Sequence, residues 1–208
     1  MMILLSDTII LCVLFYHAVR QKIQLFSNFI KEESLLKRTV NVITDPDGRR
    51  IVFINDIRFK LRDKKEWEVI EKYLLEYVGE HFEIEESAEK IYIASDFPDE
   101  FVHSHNKTTL SRSEKRAKAN ATQGIPELIQ IATNKTYEEN RKEKHKSDAK
   151  LGWYRYDVRF ALPAYDESGE NIIRYNIYSA VMLVRHSENG KKYLYDFLEI
   201  KKGNERPV

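Results

Sequence analysis

The chain has 208 residues, 42% of them hydrophobic, enough to enclose a core of its own and ordinary for a globular protein. Its single cysteine, Cys12, excludes an intrachain disulfide, and nothing in cysteine usage argues for secretion or a structural zinc, so the cytosol is the expected compartment. Net charge is only +1, but it is unevenly spread: residues 49–102 carry 9 Lys/Arg against 14 Asp/Glu, a balance of −5, and residues 103–159 carry 13 against 7, a balance of +6.

The opening run MMILLSDTIILCVLFYHAV is apolar but interrupted by Ser6, Asp7 and Thr8, and Arg20 and Lys22 follow at once. An uninterrupted membrane span needs about 20 apolar residues. A basic leader of the signal-peptide kind is absent. Three readings stay open: membrane contact by residues 1–30 with the body held in the cytoplasm, a helix packed on the body, or a translation-start artefact. Ile23, Phe26, Phe29 and Ile30 recur at helical spacing. Residues 1–48 therefore read as a hydrophobic, amphipathic helical appendage, and residues 49–208 as the folded domain.

Asp45, Pro46, Asp47 and Gly48 signal a turn, after which Ile51 to Ile54 read as a buried strand. Asp63 and Glu66 form a capping-box pattern ahead of a helix carrying Trp67, Ile70, Tyr73, Leu74, Tyr77 and Val78, which Gly79 stops. HFEIE from His81 and KIYIA from Lys90 alternate as a strand pair. Ser111 to Ala121 reads as a basic helix, and another begins near Pro126, burying Leu128, Ile129 and Ile131. Tyr137 to Ala149 has hardly any apolar side chains and reads as a polar helix facing water or a ligand. Beyond Gly152 three strand-like runs begin at Trp153, Asn171 and Lys191, joined by Asp166–Glu170 and Ser187–Gly190. The expected fold is α+β: an N-terminal strand–helix–strand pair, central helices and a C-terminal three-stranded antiparallel meander.

Alternation along the first meander strand sets Trp153, Arg155, Asp157 and Arg159 opposite Tyr154, Tyr156, Val158 and Phe160. On the second, Arg174 shares a side with Ile172, Asn176, Tyr178, Ala180, Met182 and Val184. An arginine on a half-buried strand surface must be paired or must face an anion. Asp157 and Asp196 offer pairs; a phosphate is the alternative. Arg155, Arg159, Arg174 and Lys201, with His145 on the polar helix, make a phosphate-handling set, to which Tyr154 adds a proton donor or a stacking ring. Metal-free RNA cleavage needs a base for the 2′-hydroxyl, an acid for the leaving oxygen, and cations for the charge on phosphorus. His145 is the natural acid or base near neutral pH.

The basic block reads either as solvated helices or as a nucleic-acid surface made by Lys115, Arg116, Lys118, Arg141, Lys142, Lys146 and Arg155. His103 and His105 lack a Cys or carboxylate cluster at ligand spacing, and no phosphate-cradling glycine loop is present. No metal and no cofactor is expected.

The segments IYIASDFPDEF, AKANATQGIPELIQIATNK, KHKSDAKLGWYRYDVRFALPAYDESGE, RYNIYSAVMLVRH and YLYDFLEIKK, taken in order, resemble the third type of large polyvalent protein-associated domain, over about residues 51–202. The resemblance implies a phage or conjugative-element setting and, in that setting, a host protein or an immunity protein as a partner. It implies no catalytic set. Helices followed by an antiparallel meander also look like the ribonuclease fold of barnase, EndoU and RelE, an architectural analogy alone. The expectation is a mobile-element accessory or effector domain that engages RNA, with metal-independent endoribonuclease activity as its enzymatic form. The alternative is a non-catalytic module that binds nucleic acid or a host protein.

Overall fold

The computed structural model describes residues 40–63, 65–141, 143 and 148–203. The expected appendage up to Thr39 and its membrane contact lie outside the described residues, as does His145. Among the described residues no helix is long and apolar enough to cross a membrane.

The protein is α+β. Eight strands, β1 (Val40–Thr44), β2 (Arg50–Ile54), β3 (His81–Ile84), β4 (Glu89–Tyr92), β5 (Thr133–Glu138), β6 (Trp153–Tyr165), β7 (Ile172–His186) and β8 (Lys192–Lys202), form one mixed sheet. Its order is β1-β2-β6-β7-β8-β4-β3, with β5 also paired to β6. The meander accounts for its centre: β6 and β7 run antiparallel from Trp153↔Arg185 to Tyr165↔Ile172, and β7 and β8 from Tyr178↔Lys202 to His186↔Lys192. The N-terminal strands then dock in parallel on either side, β2 against β6 at Val52↔Phe160 and β4 against β8 at Tyr92↔Tyr193.

Among the described residues five α-helices, α1 (Glu66–Leu74), α2 (Phe97–His103), α3 (Asn106–Thr109), α4 (Arg112–Ala121) and α5 (Ile125–Gln130), fall between β2 and β3 (α1) or between β4 and β5 (α2–α5) in sequence. Tyr156, Val158, Phe160, Leu162, Tyr178, Ala180, Met182 and Val184, from one face of the meander, share a core with Ile70 and Leu74 of α1, Phe97 and Phe101 of α2, Ala117 of α4 and Leu128 of α5. Burying each large side chain here stabilises by about 1.5–3 kcal/mol relative to leaving it in water. The alternating pattern expected for β6 and β7 is thus realised, with the even-numbered side chains inward. Among the described residues the opposite face carries a small buried group, Ile51, Phe53, Ala161 and Ile177.

Three expectations change. The expected appendage extends too far: β1 falls inside it and pairs antiparallel with β2 from Val40↔Ile54 to Thr44↔Arg50. A division of the chain into two units falls between Arg38 and Thr39 rather than at Gly48. The polar helix from Tyr137 is not formed over its first residues, because β5 runs to Glu138 and pairs with the start of β6. A segment without an apolar stripe has nothing to bury as a helix, whereas the open edge of β6 satisfies its backbone directly. Gly152 makes this junction: its φ is +90°, and a Cβ there would sit 2.7 Å from the Tyr137 ring and 2.8 Å from the Glu138 carbonyl oxygen. The expected pairing of Asp63 and Glu66 is present in part, with the Glu66 carboxylate accepting from the Asp63 N–H and Asp63 Oδ1 from the Lys65 N–H, and Glu66 reaches further to clamp the loop before the helix.

Candidate functional site

At the far end of β6 from Gly152, the loop after β2, the first two turns of α4 and the β6–β7 turn enclose a half-open recess of about 460 Å³. Lys60, Arg62, Arg112 and Arg116 line it with Asp56, Ile57, Tyr165 and Gly169. None of the four basic side chains forms an ion pair with a described residue. That is unusual for a protein whose other arginines are mostly tied to carboxylates, as Arg49, Arg50, Arg155, Arg159 and Arg185 are.

The walls are built in advance of any ligand. The Asn120 side chain on α4 is fully buried, accepts from the Phe59 N–H at 3.1 Å and donates to the Phe59 carbonyl at 2.8 Å. Gln123 donates to the Asp56 carbonyl at 3.2 Å. Two side-chain amides thus fasten the loop to the helix as a strand partner would. Leu61, between Lys60 and Arg62, has φ +49°, a conformation that L residues adopt only when their surroundings impose it. The Glu66 carboxylate does so, accepting from the N–H groups of Leu61 at 2.8 Å, Arg62 at 2.5 Å and Asp63 at 3.3 Å. Burial alone would raise the Glu66 pKa, but these N–H donors outweigh it and lower it. On the third wall Asp166 accepts from Ser168 Oγ at 2.6 Å, Gly169 N at 2.9 Å and Asn171 Nδ2 at 2.8 Å, so the β6–β7 turn is closed on its own first residue. Tyr165 is half-buried at the base, its phenol pKa raised by burial and then by the neighbouring Asp56, against the pull of Arg116.

Among the residues expected to bind nucleic acid, Arg116 lines this recess. Lys115 is half-buried beside it on α4, and Arg141 is exposed between β5 and β6. Lys142 and Lys146 lie outside the described residues. Lys118 is no surface cation: it is fully buried, its ammonium against the Asp196 carboxylate and 4.6 Å from the centre of the Phe101 ring. The reason is the position of α4, whose residues from Ala117 to Ala121 all face the protein interior. Asp196 also accepts from Ser104 Oγ at 2.5 Å and from the Phe197 N–H at 2.8 Å. Burial lowers the Lys118 pKa and raises that of Asp196.

The residues expected to share one phosphate are dispersed. Arg159 donates to Asp45 at 2.7 Å. Arg155 is held by Glu138 at 3.0 Å and lies 3.7 Å from Glu199. Lys201 occupies the same row as Arg159, with Ser179 between them, and its ammonium is 3.9 Å from Glu199. These three share the face away from the helices. Tyr154 and Arg174, partnered with Val184 and Ala164, belong to the other face.

Tyr154 belongs to a second polar cluster that sequence reading missed. Glu89 of β4 receives Lys135 of β5, Lys192 of β8 and the Tyr156 hydroxyl of β6, the last at 2.8 Å. The two ammoniums lie 4.3 and 4.8 Å from the centre of the Tyr154 ring. Burial would raise the Glu89 pKa, but the three donors prevail and bring it to about 2, while burial and Glu89 together push the Tyr156 phenol up. This cluster draws four strands together around one carboxylate shared by two ammoniums and a phenol, as a structural tie does. Among the described residues no group of three or more His, Cys, Asp and Glu is arranged to hold a metal ion.

Set against known proteins, the chain matches no family model, no curated protein and no solved structure.

Proposed function

We propose that this domain is a non-catalytic RNA-binding module that engages phosphate through the recess between the Asp56–Asp63 loop, α4 and the β6–β7 turn. One observation carries the reading: Lys60, Arg62, Arg112 and Arg116 converge on a preformed cavity without carboxylate partners among the described residues. Four cations offset by the single Asp56 carboxylate repel one another, and an anionic ligand relieves that repulsion. The dispersal of Tyr154, Arg159, Arg174 and Lys201 over two faces supports binding over cleavage. The resemblance of residues 51–202 to the polyvalent protein-associated domain supports a phage or conjugative-element setting.

The test is RNA binding by fluorescence anisotropy at several salt concentrations. Each neutralised phosphate releases counterions, so affinity should fall steeply with salt. Reversing Arg112 and Arg116 to glutamate should remove binding while the circular dichroism spectrum stays unchanged. RNA should be recovered intact after incubation in EDTA. Binding that is unaffected by both reversals, or absent at low salt, refutes the proposal and leaves a host protein as the partner to seek.

A further inference from the structure

Resting on that reading, the shape and charge of the recess identify which part of an RNA it takes. We infer that the recess receives a terminal phosphate group on a nucleoside, as at the 5′ end of an RNA, rather than an internal stretch of backbone.

The first argument is convergence. An internal strand offers one negative charge per phosphate, spaced along its length, and proteins that follow it use an open basic groove. Here the cations come from two different segments, Lys60 and Arg62 from the loop and Arg112 and Arg116 from α4, and point at one recess closed on its third side by the β6–β7 turn. Arg112 and Arg116 are four residues apart and therefore stand on the same helix face, one turn above the other. At about 460 Å³ the space is of the size that encloses a compact ligand.

Charge supplies the second argument. Four cations and the Asp56 carboxylate leave three positive charges to be balanced. A single phosphodiester balances one. A terminal monophosphate carries about −1.5 to −2 at neutral pH, and each further phosphoryl group adds to that. The planar guanidinium groups of Arg62, Arg112 and Arg116 suit two-pronged contact with terminal phosphate oxygens, which a diester presents only in part.

The remaining lining residues fit the rest of a nucleotide. Tyr165, half-buried and packed in part against the core, lines the recess, and its ring is the group there on which a terminal base can stack. Asp56, a lone carboxylate among cations, serves as an acceptor for a ribose hydroxyl or an exocyclic amino group. A pure phosphate site would have no use for that negative charge.

Two sources share this chemistry, a free nucleotide and an RNA end, and the experiment separates them. The full chain is titrated with one ten-nucleotide RNA bearing a 5′-triphosphate, a 5′-monophosphate or a 5′-hydroxyl, and with free ATP and GTP. The 5′-phosphorylated RNAs should bind at least about tenfold tighter than the 5′-hydroxyl RNA, as expected for additional charge-assisted contacts. Arg112→Gln and Arg116→Gln should each erase that difference, and Tyr165→Leu should weaken all phosphorylated ligands. If a free nucleotide competes as well as the phosphorylated RNA, the nucleotide is the source; if it does not, the RNA end is. Equal affinity for the three RNAs, with sensitivity to Arg112→Gln retained, overturns this inference while leaving phosphate binding in place. Absence of binding by every ligand overturns both.

Discussion

Replacing Asp196 with alanine should be the most damaging single substitution in the helix-covered half of the core. The Lys118 ammonium would be left with no carboxylate in a site where both side chains are at most 1% exposed. Its neighbour would be the Phe101 ring, 4.6 Å away, which compensates only a fraction of the lost attraction. Breaking a buried pair from one side costs about 3–5 kcal/mol. The Ser104 hydroxyl, part-buried, and the buried Phe197 N–H also lose an acceptor, adding up to roughly 1 kcal/mol each. Since folded domains hold about 5–15 kcal/mol in total, the loss is a third or more of what is available. With a urea slope of about 2 kcal/mol per molar, the unfolding midpoint should fall by roughly 2–3 M, read by circular dichroism. The paired replacement Lys118→Met with Asp196→Leu should recover much of the loss, because an apolar pair of similar volume needs no compensation. The reasoning fails if Asp196→Ala costs under about 1 kcal/mol, or if the paired variant is no more stable than the single one.

A chain beginning at Arg49 should be measurably less stable than one beginning at Thr39, since it lacks β1 and the Asp45 carboxylate that holds Arg159; equal urea midpoints would refute this. Glu89, with its pKa lowered from 4.5 to about 2, contributes stability that is present above pH 4.5 and lost as pH falls toward 2. Discounted for solvent at the open side of the cluster, that contribution is about 1–2 kcal/mol, and Glu89→Gln should flatten the acid limb of the stability curve. Gly152→Ala should destabilise by at least about 1–2 kcal/mol, because the residue must hold φ +90° with its Cβ against Tyr137 and the Glu138 carbonyl. Glu66→Ala should weaken RNA binding several-fold without touching the ligand, by releasing the loop that presents Lys60 and Arg62; Glu66→Gln, which keeps one acceptor, should restore part of it.

The meander was legible because a period of two, three long runs and two strong turns agree with one another, and no helix can imitate that combination. What escaped was set by tertiary neighbours. VNVIT is too short and too exposed to declare itself as β1, and it becomes a strand because β2 offers an edge. Thr133 to Glu138 shows every side chain to solvent, so β5 carries no burial pattern at all. The basic recess was hidden by averaging: Lys60 and Arg62 sit in a region whose balance is −5, and only folding brings them beside Arg112 and Arg116. Lys118 shows the converse, a lysine in a basic run whose destination was decided by an aspartate 78 positions later.

The two parallel pairings set a schedule for the newborn chain. Val52 meets Phe160 of the meander, and Tyr92 meets Tyr193, so beyond its local hairpin neither early strand can join the meander until about a hundred more residues have been made. At 5–20 residues per second that is a wait of roughly 5–20 s, during which Ile51 to Ile54, buried in the finished protein, are without cover from the sheet they will join. Contacts this distant in sequence also make closure slow once synthesis is done. The ribosome-bound intermediate is therefore where chaperones would find this protein, and a charge placed at Ile43, 45% exposed on β1, should protect it from aggregation at little cost to the folded state.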